Sequence, residues 1–168
     1  MRNIMSNSIE VATALLRRDD VEGLRLAPYR CPAGYWTIGI GNRFLADGSP
    51  VTPETPQLTE KSAISLLRCT LIDLREKLRK AISVPLLPTQ EAALLSWQFN
   101  IGSAAMYRST LRTLLNQGQY TAAGEQLLRW DKASVNGRMV VLAGLRRRRQ
   151  LERAVYFGQP VTGVPSCA

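Results

Sequence analysis

Histidine is absent from the 168-residue sequence. That absence removes imidazole as a general base and as the commonest metal ligand, and leaves acid–base work to carboxyls, thiols and hydroxyls. Cysteine is scarce: Cys31, Cys69 and Cys167 are far apart and odd in number, matching neither a zinc spacing nor a disulfide framework. Free thiols are expected, and neither a metal nor an organic cofactor. No apolar run approaches the roughly 20 residues that span a bilayer. The opening MRNIMSNSIEVATALLRRDD lacks the basic, apolar and small-residue succession of a secretory signal. A chain made in the cytoplasm without a membrane anchor is the expectation. Internal repeats, low-complexity segments and recognised DNA- or RNA-binding motifs are also missing.

Positive charge is plentiful. Lys and Arg number 22 against 13 acids, a formal charge of +9 that predicts attraction to polyanions such as nucleic acid, an anionic membrane or an acidic wall polymer. Hydrophobic residues at 45% and charged residues at 21% place the chain with ordinary globular proteins, and the length favours one domain, 1–168.

Helical spacing of Ile9, Ala12, Leu15 and Leu16 predicts a helix over residues 8–18. From Tyr29 to Leu45, β-forming residues broken by Pro32, Gly34, Gly39 and Gly41 predict a small antiparallel ribbon, and residues 47–57 read as loop. A long helix is expected over 59–82, with Ile64, Leu67, Leu71, Leu74 and Leu78 on one stripe and Pro85 and Pro88 ending it. Short helices should follow over 89–100, from a Ser109 cap to Gln117 with Gly118 as stop, and over 121–130. The segment KASVNGR reads as a polar turn, a last helix is expected over 140–157, and VTGVPSCA as a tail.

Within this layout Glu22 is the last acid before Asp47. Apolar Leu24, Leu26, Ala27 and Pro28 follow it, and an apolar setting would hold its carboxyl in the protonated form that a general acid requires. Asp19 and Asp20 are nearby alternatives, more simply read as helix-end charges. Glu22-Gly23-Leu24-Arg25-Leu26, Tyr29 and Gly34-Tyr35-Trp36-Thr37-Ile38-Gly39-Ile40-Gly41 together resemble the opening motif of the phage-type lysozymes, the endolysin family of T-even and many other phages. Phe99-Asn100-Ile101-Gly102, Ser109-Thr110-Leu111 with Leu115-Asn116, and Trp130, Gly144-Leu145, Arg148-Arg149 and Glu152-Arg153 resemble its later blocks in order, so the likeness runs from about residue 22 to 157.

The resemblance implies an α+β fold, with a small antiparallel-sheet lobe (about 20–58), a connecting helix (59–82), a larger helical lobe (1–19 and 83–160) and a tail (161–168). It also implies hydrolysis of the β-1,4 bond between N-acetylmuramic acid and N-acetylglucosamine. By position, Glu22 resembles the family's proton donor and Thr37 the threonine that holds the attacking water. The family's usual second acid falls at Cys31, which leaves that residue open as base, nucleophile or bystander, and leaves the stereochemical outcome open with it. Asn42 stands where many relatives have histidine. Tyr35, Asn42 and Phe99 are candidates for substrate contact and Trp36 for the cleft wall, with Trp97 and Trp130 assigned to core packing. One of Arg146, Arg148 and Arg149 is expected to pair with Glu22.

Peptidoglycan is thus the expected partner and nucleic acid is not. A monomer is expected, released from the host cytoplasm to the wall by a separate holin. The rival functions are a catalytically inactive peptidoglycan binder on the same fold, for which Cys31 is the reason, and a basic nucleic-acid-binding protein.

Overall fold

The computed structural model describes residues 7–161. Cys167 and the expected tail beyond Val161 lie outside the described residues. Helix α1 (Asn7–Arg17) leads into a two-stranded antiparallel sheet of β1 (Arg25–Arg30) and β2 (Trp36–Gly39). The long α2 (Glu60–Ala81) follows, then α3 (Pro88–Ile101), α4 (Ser103–Tyr107), α5 (Thr110–Asn116) and α6 (Tyr120–Gln126). A 3-10 turn (Leu127–Arg129), a hairpin of β3 (Lys132–Val135) and β4 (Arg138–Val141), and α7 (Ala143–Tyr156) complete the chain.

Local chemistry explains the main boundaries. Thr59 caps α2 in a reciprocal box: its hydroxyl accepts from the Ser62 N–H at 3.1 Å, and its own N–H donates to Ser62 Oγ at 2.9 Å. Pro88 opens α3, where a missing N–H costs nothing, rather than merely closing what precedes it. Ser109 caps α5 as expected, its hydroxyl accepting from the Arg112 N–H at 3.1 Å.

The chief correction lies after Trp130. The expected polar turn and a helix from residue 140 are instead a β-hairpin, and α7 begins only at Ala143. Asn136 and Gly137, with φ of +50° and +78°, make the turn between Val135 and Arg138, the Asn-Gly pairing that a tight hairpin favours. The short α4 was not expected at all. The first sheet starts earlier than the expected Tyr29, at Arg25, and its register pairs Arg25 with Gly39, Tyr29 with Thr37 and Arg30 with Trp36, with a bulge between the first two pairs.

The larger hydrophobic cluster surrounds α3, whose residues from Ala92 to Trp97 are all buried, and takes in Leu15, Leu16, Leu71, Leu78 and Tyr156 from α1, α2 and α7. Ile38, Val51 and Leu66 form a second, smaller one beneath the first sheet. Helix α2 supplies Leu66 to one and Leu67 to the other, so a single rigid element carries both and holds the sheet in place against the helices. Trp36 packs against the small cluster, and Trp97 and Trp130 meet edge-to-face at 5.5 Å within the larger one.

Candidate active site

After α1 the chain reverses in a tight turn. The N–H groups of Glu22 and Gly23 both donate to the Leu16 carbonyl, at 3.1 and 3.2 Å, and Gly23 takes φ +75° to allow it. The turn swings Glu22 away from α1 to meet α7. There Arg148 Nη1 donates to Glu22 Oε1 at 2.6 Å, so Arg148 is the arginine that pairs with Glu22. The Glu22 side chain is 21% exposed and that of Arg148 is 5% exposed. The apolar enclosure expected for the carboxyl is therefore corrected: an arginine holds one oxygen, and the other lies over a glycine. A Cβ built on Gly41 would fall 2.7 Å from Glu22 Oε2, and Gly41 also has φ +70°. Both facts require glycine there.

Gly41→Ala is accordingly expected to push the carboxyl aside and strain the backbone. A shift of about 1 Å in a reacting group costs roughly 100-fold in rate. A left-handed non-glycine residue costs about 1–3 kcal/mol. Parallel rate and melting measurements check this, and a wild-type rate in the variant would mean that the carboxyl has no fixed position.

Arg148 is itself braced. Its Nε donates to Glu152 Oε1 at 3.1 Å and its Nη2 to the Ser96 carbonyl at 2.9 Å, while Ser96 Oγ donates to the same Glu152 oxygen at 2.8 Å. Arg149 fills the far side: Nε donates to the Trp130 carbonyl at 2.9 Å, Nη1 to Glu152 Oε2, and Nη2 to Asn100 Oδ1. Burial pulls the Arg149 guanidinium below the ordinary arginine value, and the charge of Glu152 works against that fall. Arg146 points elsewhere, to Asp131 at 3.4 Å, where it ties the base of the hairpin to α7. Sequence reasoning missed Glu152, although its spacing of four and three residues from two arginines on a helix was the available sign.

The water side of the site is built on the first sheet. Tyr29 and Thr37 face each other across the ladder, and Cys31, two residues beyond Tyr29, opens the turn at the strand end. Thr37 is buried, and its hydroxyl donates to the Tyr35 carbonyl at 3.0 Å. The backbone closes the same turn through Cys31 N–H to the Tyr35 carbonyl at 2.9 Å and Gly34 N–H to the Cys31 carbonyl at 2.8 Å. Burial pushes the Cys31 thiol up. Hydrogen bonding from the backbone at Tyr35 and Ala33, the neighbouring Thr37 hydroxyl and the charge of Arg43 together outweigh burial and hold it below the usual cysteine value. Tyr29 is pushed the other way, by burial first and then by the charges of Glu22 and Cys31.

The remaining candidates are spread out. Tyr35 is 52% exposed, beneath the Arg43 guanidinium at 3.9 Å. Asn42 is only 4% exposed and donates from Nδ2 to Thr70 Oγ1 on α2 at 2.9 Å, a tie between loop and helix with little surface left for a sugar. Phe99 packs against the larger core cluster. Asp20 is engaged by Arg18 at 2.8 Å, and that bond lowers its carboxyl below the usual value. Among the described residues no cluster of three or more potential metal ligands occurs.

Comparison with known proteins bears on the chain as a whole. The family model described as phage lysozyme matches residues 19–152. The chain is 38% identical over 147 residues to an endolysin of Acyrthosiphon pisum secondary endosymbiont phage 1, covering 88% of this chain and 95% of that one. It is 35% identical over 157 residues to the endolysin of Salmonella phage P22, covering 94% and 99%. The structure superposes on an endolysin from Escherichia coli O157:H7 phage FAHEc1 with a TM-score of 0.79 at 30% identity, over 93% of this chain and 94% of that one.

Proposed function

The chain belongs to the phage lysozyme family, and from that premise we propose that it is an endolysin: a muramidase that cuts the β-1,4 bond between N-acetylmuramic acid and N-acetylglucosamine in peptidoglycan. The observation that carries the reading at atomic level is the 2.6 Å bond from Arg148 to Glu22, which fixes one carboxyl oxygen and leaves the other over Gly41. Glu22 gives its proton to the glycosidic oxygen as the bond from that oxygen to the anomeric carbon breaks. Water attacks the anomeric carbon from the side of Thr37 and Cys31. The Thr37 hydroxyl orients the water, and the Cys31 thiolate takes the proton it sheds. A depressed thiol value favours this role because more thiolate is present near neutral pH. Direct attack by Cys31 Sγ on the anomeric carbon is the competing course, and it would leave a covalent sugar adduct visible by mass spectrometry.

Release of reducing sugar ends from purified peptidoglycan tests the function, and binding to walls without such release would sink it. The pH profile tests Cys31. Activity that needs the thiolate rises with pH through a value below the roughly 8.5 of free cysteine. In Cys31→Asp the rising limb moves down to the carboxylate range. Alkylation with iodoacetamide is expected to cost the wild type about tenfold or more and to spare Cys31→Asp. An unaltered rate after alkylation would make the thiol a bystander. Two further elements belong to the same reading, a monomeric working state and passage to the wall through a separate holin. Sedimentation and co-expression with and without a holin test them. No helix among the described residues is long and apolar enough to cross a membrane.

A further inference from the structure

The segment from Thr37 to Asn42 carries part of both sides of the site. Thr37 opens it on the water side, and Gly41 lies beneath Glu22 Oε2 near its end. The segment is closed on itself: the Ile38 N–H donates to the Asn42 carbonyl at 2.8 Å, and the Asn42 N–H to the Ile38 carbonyl at 3.1 Å. Ile38 is buried in the smaller cluster with Leu66, and Ile40 in the larger one, so apolar contact alone already covers the loop. Among the described residues a single hydrogen bond runs from residues 37–42 to α2, from Asn42 Nδ2 to Thr70 Oγ1 at 2.9 Å. The Thr70 hydroxyl donates in turn to the Leu66 carbonyl at 3.2 Å. Its oxygen can therefore only accept from Asn42, which turns the amide nitrogen-first onto α2. The consequence is an orphan: Asn42 Oδ1 is buried and finds no partner among the described residues. A buried acceptor without a donor lowers stability. The arrangement gives up stability to fix the direction of one bond.

We propose that Asn42 is a positioning residue for the cleavage step: its bond to Thr70 sets the closed loop on α2, and with it Gly41 under Glu22 and Thr37 beside the attacking water. This rests on the muramidase reading and adds to it a buried amide that touches no reacting atom. Apolar packing keeps the loop against the helix but carries no direction, whereas the hydrogen bond does. A small slip of the loop would move both sides of the site at once.

The test compares Asn42→Leu/Thr70→Val with the wild type in reducing-end release and in thermal melting. Leucine repeats the branching of asparagine and valine that of threonine, and the orphan oxygen goes with the bond, so the melting temperature is expected to change little. In the same variant kcat is expected to fall about tenfold with KM within about twofold, since a shift of about 1 Å at a reacting group costs roughly 100-fold. Thr70→Val alone should lose as much kcat as the pair, because both changes act on one bond. Thr70→Ser keeps the hydroxyl and should keep kcat within about twofold of wild type. Should the double variant not fold, the contrast between Thr70→Val and Thr70→Ser decides the same question. A wild-type kcat in the variants lacking the bond would overturn the proposal. So would a raised KM beside an unchanged kcat, which would make Asn42 a substrate contact, or a kcat that merely follows the melting temperature through the series. If the wild type releases no reducing ends, the muramidase reading fails instead. Amide exchange at Ile38 and Asn42 then reads the loop directly: faster exchange in Thr70→Val than in Thr70→Ser at equal global stability supports the tie, and equal exchange overturns it.

Discussion

Glu22→Gln is expected to slow reducing-end release by roughly 1,000-fold, the middle of the range for loss of a positioned general acid. The amide has the shape of the carboxyl but no proton to give to the departing oxygen. It should also fit the same space, because the close approach to Gly41 is a matter of shape and the Arg148 donor needs only an oxygen acceptor. Arg148 keeps its bonds to Glu152 and the Ser96 carbonyl in the variant, so the fold should tolerate the change. A large kinetic loss beside a nearly unchanged melting temperature is the expected signature. A rate within about tenfold of wild type would mean that another group supplies the proton. Asp20 is a poor substitute, being engaged by Arg18 on the exposed side of the turn.

The helices and the first sheet were legible in the sequence, and the failures have physical causes. Glu22, Cys31 and Thr37 were candidates through the resemblance of the motif around them to the phage-type lysozymes, and they lie on the turn after α1 and on the first sheet and its connecting turn. The hairpin at residues 132–141 was missed although Asn136-Gly137 is a clear turn signal. Its strands, KASV and RMVV, are short and exposed, and lack the alternation that marks a strand packed on a core. The expected setting of Glu22 was wrong for another reason. Apolar neighbours in sequence say little about what a tight turn brings in from elsewhere, and here it brought Arg148 from 126 residues away. The choice among Arg146, Arg148 and Arg149 was open for the same cause. Helical spacing puts Arg148 and Arg149 within reach of Glu152, but only packing of α7 on α3 decides which of them faces Glu22.

Glu152→Gln is expected to be the most damaging neutral substitution for the fold. Glu152 is fully buried between Arg148 and Arg149, and among the described residues no other carboxylate touches Arg149. Removing one partner from a buried ion cluster costs about 3–5 kcal/mol, since the remaining charges stay buried without compensation. For a chain of this size that is a fall of about 10 °C in Tm. Activity should fall as well, because the amide offers one oxygen to two arginines, and whenever it turns to Arg149 an NH2 group faces the Arg148 Nε that braces its other nitrogen on Glu22. The double variant Arg149→Met/Glu152→Met separates the two roles. Hydrophobic replacement of a buried ion pair is often close to neutral. Here, however, the Trp130 carbonyl and Asn100 Oδ1 would lose their donor, so recovery of stability should be partial. Arg148 would keep Glu22 and the Ser96 carbonyl but lack its brace, leaving the rate well below wild type even where the melting temperature has risen. If rate and stability recover together, Glu152 serves the fold alone. If stability recovers and the rate does not, the buried carboxylate aims the arginine that holds Glu22.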